Sequence, residues 1–186
     1  MTPNSILSKS ITDLRALERY TIEVLELQLS EPELKTFAPA ERLLGEIIQT
    51  LRQHIENLDR QISTIPGSRT SLQSAASLMA GAFLGFLTKT RSHDLMQILR
   101  DDCTLLYHLA MHCAILQTAS TTLDEKAVFE IACAHKREID TSISGLNELA
   151  AHYVRRQLGH VVRAEQRTAA SDSAPLISDT AWSVCA

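Results

Sequence analysis

Apolar residues recur every three or four positions along most of this chain, the spacing that gathers them on one face of an α-helix. The longest such stretch runs from Asp94 to Leu123. Leu95, Leu99, Asp102, Leu106, Leu109, Cys113, Leu116 and Ser120 share a face, widened by Ile98, Leu105, His112 and Ala119. A stripe that broad suits a helix packed against two or three neighbours. Asp102 interrupts it between Leu99 and Leu106. A carboxylate there needs water, a partner or a metal, because an unpaired buried charge is costly. His108 and His112 stand four apart on the same helix, close enough to chelate, though a histidine pair without a carboxylate is a weak metal signal.

Three further segments repeat the helical period. The first spans Thr12 to Leu29, with Ser10 and Asp13 at its start, Leu14, Leu17, Thr21, Val24, Leu25 and Gln28 along its stripe, and Pro32 at or just past its end. Glu18 lies beside that stripe and reads as a boundary carboxylate on a solvated flank. The second runs from Pro39 to Ser63 on the line Leu44, Ile47, Leu51, His54, Leu58 and Ile62. The last opens on Thr122-Leu123-Asp124-Glu125, a T-x-x-E capping box, and reaches Leu158, with Gly159 as its stop. Its stripe is Val128, Ala132, His135, Ile139, Ile143, Leu146, Ala150 and Tyr153. His54 and His135 thus replace apolar residues in their seams. The plain reading of each is a core histidine satisfied by hydrogen bonds; the sharper one is a ligand.

No alternation at strand period has useful length, so the fold class is all-α. Long amphipathic helices joined by short breaks predict an antiparallel four-helix bundle. Residues 71–90 form an extra helical segment between the second and third helices, with Gly81 and Gly85 set for close packing. Residues 1–165 read as one domain and 166–186 as a flexible tail carrying Trp182, the only tryptophan.

The chain has 186 residues and a formal net charge of -4, with no dense basic face, which argues against nucleic-acid binding. The longest mostly apolar run, 75–87, falls short of the roughly 20 residues a membrane-spanning helix needs. No secretory signal opens the sequence, and the cysteines, Cys103, Cys113, Cys133 and Cys185, lack C-x-x-C spacing. Reduced thiols in a cytoplasmic protein are the expectation. Dinucleotide, P-loop and nucleophile-elbow motifs are absent.

His54, Asp102 and His135 each sit on a core line, and Glu18 stands at the edge of a fourth. Bundle proteins that hold two metal ions place inward carboxylates and histidines on four helices in this manner, with E-x-x-H on two of them. Here the residue three before His54 is Leu51, and three before His135 is Ala132. The stretch LRQHIENLDRQI, Leu51 to Ile62, resembles the second helix of the YciF-type, stress-associated branch of the ferritin-like superfamily, which reads L-x-x-H-L-E-E-T; Leu51, His54, Ile55 and Glu56 match it. Leu99–Ser120 and His135–Ala150 resemble that branch's third and fourth helices. The resemblance implies a ferritin-like bundle. It also implies lost ligands, since Leu105, Leu106 and His108 stand where E-H-x-E is usual and His135 where a Glu is usual. Seams this poor in carboxylates do not suit a di-iron oxidase. The leading expectation is therefore a non-catalytic bundle without cofactor, acting through self-association as a homodimer or through a partner. The alternative is a bundle holding iron or zinc on His54, His108, His135, Asp102 or Glu18.

Overall fold

Leu7, Ile11, Leu14, Leu17, Thr21 and Leu25 fall three or four apart, and all are buried. They draw one face of helix α1, Pro3–Gln28, into the interior. The computed structural model describes the backbone of residues 3–64 and 94–172 and the side chains of 5–64 and 94–163. Four more helices follow among these residues: α2 (Pro32–Lys35), α3 (Ala38–Thr64), α4 (Leu95–Thr122) and α5 (Lys126–Asp172). The architecture is all-helical. The expected extra segment at 71–90, with its Gly81–Gly85 pair, lies outside the described residues, as do Trp182 and Cys185.

Helix ends differ from expectation for identifiable reasons. α1 begins nine residues before Thr12 because Leu7 and Ile11 extend its stripe, and the Thr12 hydroxyl donates to the Ser8 carbonyl (2.7 Å) inside the helix. Pro32 starts a one-turn helix as well as marking the end of α1; its missing N–H costs nothing at a first turn. Leu34 and Phe37 pin that turn to the core. Asp94 caps α4 by accepting from the Met96 amide (3.1 Å). Thr122 does not cap α5. It belongs to α4, where its hydroxyl donates to the Thr118 carbonyl (2.8 Å), and the turn is made by Asp124 at φ 57°. Gly159 does not stop α5 either; the helix continues through it to Asp172.

Two buried hydroxyls within the stripes are accommodated by their own helices. The hydroxyls of Thr21 and Ser120 donate to the carbonyls four residues back, at 2.9 and 2.7 Å. That leaves Leu, Ile and Ala to fill the interior, each fully buried large side chain stabilising the fold by about 1.5–3 kcal/mol.

Cross-helix contacts fix direction. Arg15 meets Asp59, Glu18 meets His54 and Glu26 meets Arg52, so α1 and α3 run antiparallel. His54 meets Glu138 and Asn57 meets His135, so α3 and α5 do as well. Cys103 donates to Asn147 and Gln117 to Cys133, which sets α4 antiparallel to α5. α1 also packs on α4. α3 and α4 therefore run the same way. The chain divides into a unit Met1–Ala150 and a second, Ala151–Ala186. In the second, Leu158, Val161 and Val162 are exposed.

Gly45 and Gly145 lie inside helices. A Cβ at Gly45 meets nothing within 4 Å, whereas at Gly145 it would approach Leu43 Cδ1 at 3.3 Å. Gly45→Ala is expected to raise stability by about 1 kcal/mol through helix propensity. Gly145→Ala is expected to gain less, because the Leu43 tip must yield. Urea unfolding of the two variants side by side measures the difference.

Candidate metal centre

Glu18 lies seven residues after Ile11 and seven before Leu25, at the centre of the buried face of α1, and it has no solvent exposure. The expectation of a solvated flank is overturned. Position 18 falls four residues after Leu14 and three before Thr21, both buried, so the dry face of α1 takes it in. α3 brings His54 and α5 brings His135, each 1% exposed. The imidazoles stack face to face, centroids 3.7 Å apart and planes within 7°.

Both rings turn Nδ1 toward the same oxygen. Glu18 Oε1 is 3.1 Å from His54 Nδ1 and 3.5 Å from His135 Nδ1. The far edge of His54 is engaged as well: Nε2 is 2.7 Å from Glu138 Oε2, one turn along α5 from His135. Glu138 is half exposed. Sequence analysis did not single it out, since it lies off the apolar line of α5; its only signal is the spacing of three from His135. His135 Nε2 faces Asn57 Nδ2 at 3.5 Å, and Asn57 Oδ1 accepts from Arg60.

These contacts set a donor–acceptor conflict. An ionised Glu138 can only accept, so His54 Nε2 donates to it. In a neutral imidazole that leaves a lone pair on Nδ1, pointed at another acceptor, Glu18 Oε1. A cation must stand between them: a proton or a metal. Burial works against charge on His54, but the hydrogen bonds and charges of Glu18 and Glu138 outweigh it and raise the His54 pKa above its ordinary value. A proton on Nδ1 nevertheless leaves two buried atoms without a hydrogen bond, Glu18 Oε2 and His135 Nδ1. A metal ion would engage the carboxylate and both Nδ1 atoms once one ring turned out of the stack.

Glu18, His54 and His135 form the one group of three possible ligands among the described residues, their ligand atoms within 4.8 Å of one another. Donors bound about 2.1 Å from a tetrahedral ion lie about 3.4 Å apart, close to the 3.1 and 3.5 Å seen here. Two imidazoles and a carboxylate suit zinc or ferrous iron. A two-iron centre fits poorly, because it needs several bridging carboxylates and the site offers Glu18 and, at its rim, Glu138.

The remaining expected ligands stand apart from this group. His108 is half-buried on α4, outside the cluster. From α4 the layer receives Cys113, fully buried, whose thiol pKa is pushed up by burial and by the Glu18 carboxylate. Asp102 has no exposure, and neither of its oxygens has a hydrogen-bond partner among the described residues. Burial raises its pKa to about 8; the Gln28 amide nearby pulls down and Asp101 pushes up. Burial thus favours the neutral, protonated form of Asp102.

No protein-family model matches the chain, and no curated protein or solved structure resembles it significantly.

The Asp102 shift has a definite sign. Its folded pKa, about 8, lies above the ordinary 3.8, so the unfolded chain releases the proton first as pH rises. Its contribution to stability is whole below pH 3.8 and declines up to about pH 8. Asp102→Asn, whose amide can donate to the unpartnered Gln28 Oε1, is expected to match wild type near pH 4. At pH 8 it should exceed wild type by a few kcal/mol, as read from urea midpoints across pH.

Proposed function

We propose that this protein is a metal-binding helical bundle that holds one zinc or iron ion between α1, α3 and α5. Glu18, His54 and His135 are the ligands. One observation carries the reading: a fully buried carboxylate oxygen faces two Nδ1 atoms at 3.1 and 3.5 Å, while Glu18 Oε2 and His135 Nδ1 remain unsatisfied. Buried polar atoms without partners are rare and call for a missing ligand. The ion would supply the positive charge that the carboxylate and the two lone pairs require.

The bundle itself is part of the proposal. In its support, α1 is antiparallel to α3, α3 to α5 and α5 to α4, and residues 65–93 join two helices that run the same way. Ferritin-like bundles have one such crossover. A ferritin-like ancestry, and the stress setting it suggests, rest on the resemblance of Leu51–Ile62, Leu99–Ser120 and His135–Ala150.

Metal analysis of protein purified without chelator, and after addition of Zn²⁺ or Fe²⁺, tests the reading. The expected result is about one ion per chain, lost in both His54→Ala and His135→Ala while the helical circular dichroism persists. A chain that takes up neither ion ends it.

A second reading, self-association as a homodimer, has its own observation. Between Asp102 and Asp124, α4 carries no Asp, Glu, Lys or Arg, and its outer face exposes Tyr107, Met111 and Ile115. Solvated helix faces ordinarily carry charge. Sedimentation should give a dimer that Met111→Glu converts to monomer; a wild-type monomer at all concentrations removes this reading.

A further inference from the structure

The two histidines of the proposed centre are not equivalent, and the difference lies in what holds their far edges. An ion shared by both Nδ1 atoms must lie in the plane of each ring. Parallel planes never meet, and these rings are within 7° of parallel with centroids 3.7 Å apart. The stack is therefore the ion-free arrangement, and loading requires one ring to turn about its Cβ–Cγ bond.

His54 is the ring that is fixed. Its Nε2 donates to Glu138 at 2.7 Å, a short charge-assisted hydrogen bond that locks both tautomer and orientation. It leaves Nδ1, facing Glu18 Oε1 at 3.1 Å, as the nitrogen at which a proton and an ion exchange places. A carboxylate behind a ligating imidazole is the usual means of orienting it and raising its basicity. His135 has no comparable anchor. Its Nε2 meets Asn57 Nδ2 at 3.5 Å, the limit of a hydrogen bond, and the amide presents a donor there because Oδ1 is taken by Arg60. A donor at Nε2 favours the proton on Nδ1, the tautomer that cannot bind a metal.

We infer that Glu138 is a positioning residue that makes His54 the fixed arm of the ion site, with His135 the arm that turns out of the stack, both rings binding through Nδ1. This rests on the metal reading above. On loading, His135 Nε2 carries the proton and needs an acceptor. Asn57 supplies one only by exchanging the places of its amide oxygen and nitrogen, at the expense of the exposed Arg60 contact. A carboxylate at position 57 removes that cost.

Zn²⁺ titration against a competing chelator, with ¹⁵N spectra of labelled histidine, tests the inference on the full chain. Glu138→Ala is expected to weaken Zn²⁺ binding about 10- to 100-fold, and Glu138→Gln, whose amide oxygen still accepts, to recover most of it. Asn57→Asp is expected to tighten binding. In the loaded wild type, both histidines should show metal on Nδ1 and a proton on Nε2. A merely structural Glu138 would leave the coordinating nitrogen and the Gln rescue unaccounted for. Wild type that binds Zn²⁺ through Nε2, or Glu138→Ala that binds as tightly as wild type, overturns this inference and leaves the metal reading standing. Wild type that binds no Zn²⁺ or Fe²⁺ overturns both.

Discussion

A histidine ring with an ionised carboxylate facing each nitrogen needs a proton or a metal ion at the nitrogen that does not already donate. His54 is in that position, with Glu18 on one nitrogen and Glu138 on the other. Much else in the unit Met1–Ala150 is arranged around this constraint. Glu18 costs too much to bury alone, so α3 and α5 must meet it in register. The antiparallel pairing of α3 with α1 and with α5 brings residues 18, 54 and 138 to one level. The core above and below is aliphatic, which excludes the water that would otherwise neutralise the carboxylate. Fold and site are thus one problem: a slip of a single turn between α1 and α3 would leave Glu18 facing leucine.

The two buried acids show how much the neighbours decide. Asp102 and Glu18 are equally hidden, yet their surroundings differ. Burial and the nearby Asp101 favour the neutral form of Asp102 over the opposing pull of the Gln28 amide. Glu18 faces two imidazoles, groups that accept positive charge readily. One acid is consistent with a dry, neutral core. The other faces two rings that can carry a proton or hold a cation. Burial is common to both and so cannot separate a structural acid from a ligand; the atoms within about 3.5 Å can.

Helical class and most of the buried stripe were legible in the sequence, because aliphatic spacing reports directly on which face is dry. His54 and His135 were legible for the same reason, each replacing a leucine-like position. Glu18 was visible but misjudged. Leu14, Thr21 and Leu25 put position 18 on the dry face, but what makes a carboxylate acceptable there comes from two other helices, as His54 and His135. Glu138 and Asn57 were not legible, since both lie off the apolar lines and matter only because another helix passes close. The Thr122 capping box misled, as local capping chemistry and one more turn of α4 compete for the same hydroxyl, and the i−4 carbonyl won.

The composition of the site also decides what kind of chemistry it suits. Two-iron oxidation needs carboxylates that bridge and shift between ions, and here one acid is buried and the other is committed to His54 Nε2. A single ion on two imidazoles and one carboxylate keeps coordination positions open. On the α4 side the layer is closed by a buried, protonated Cys113 and by leucine, which offer no charged ligand. On the α5 side Glu138 reaches solvent while its oxygen touches the buried ring. The same α3–α5 seam holds His135 Nε2 by a contact of only 3.5 Å. Glu138 and Asn57 make this seam polar at the level of the two rings, the one fixing His54 and the other only grazing His135.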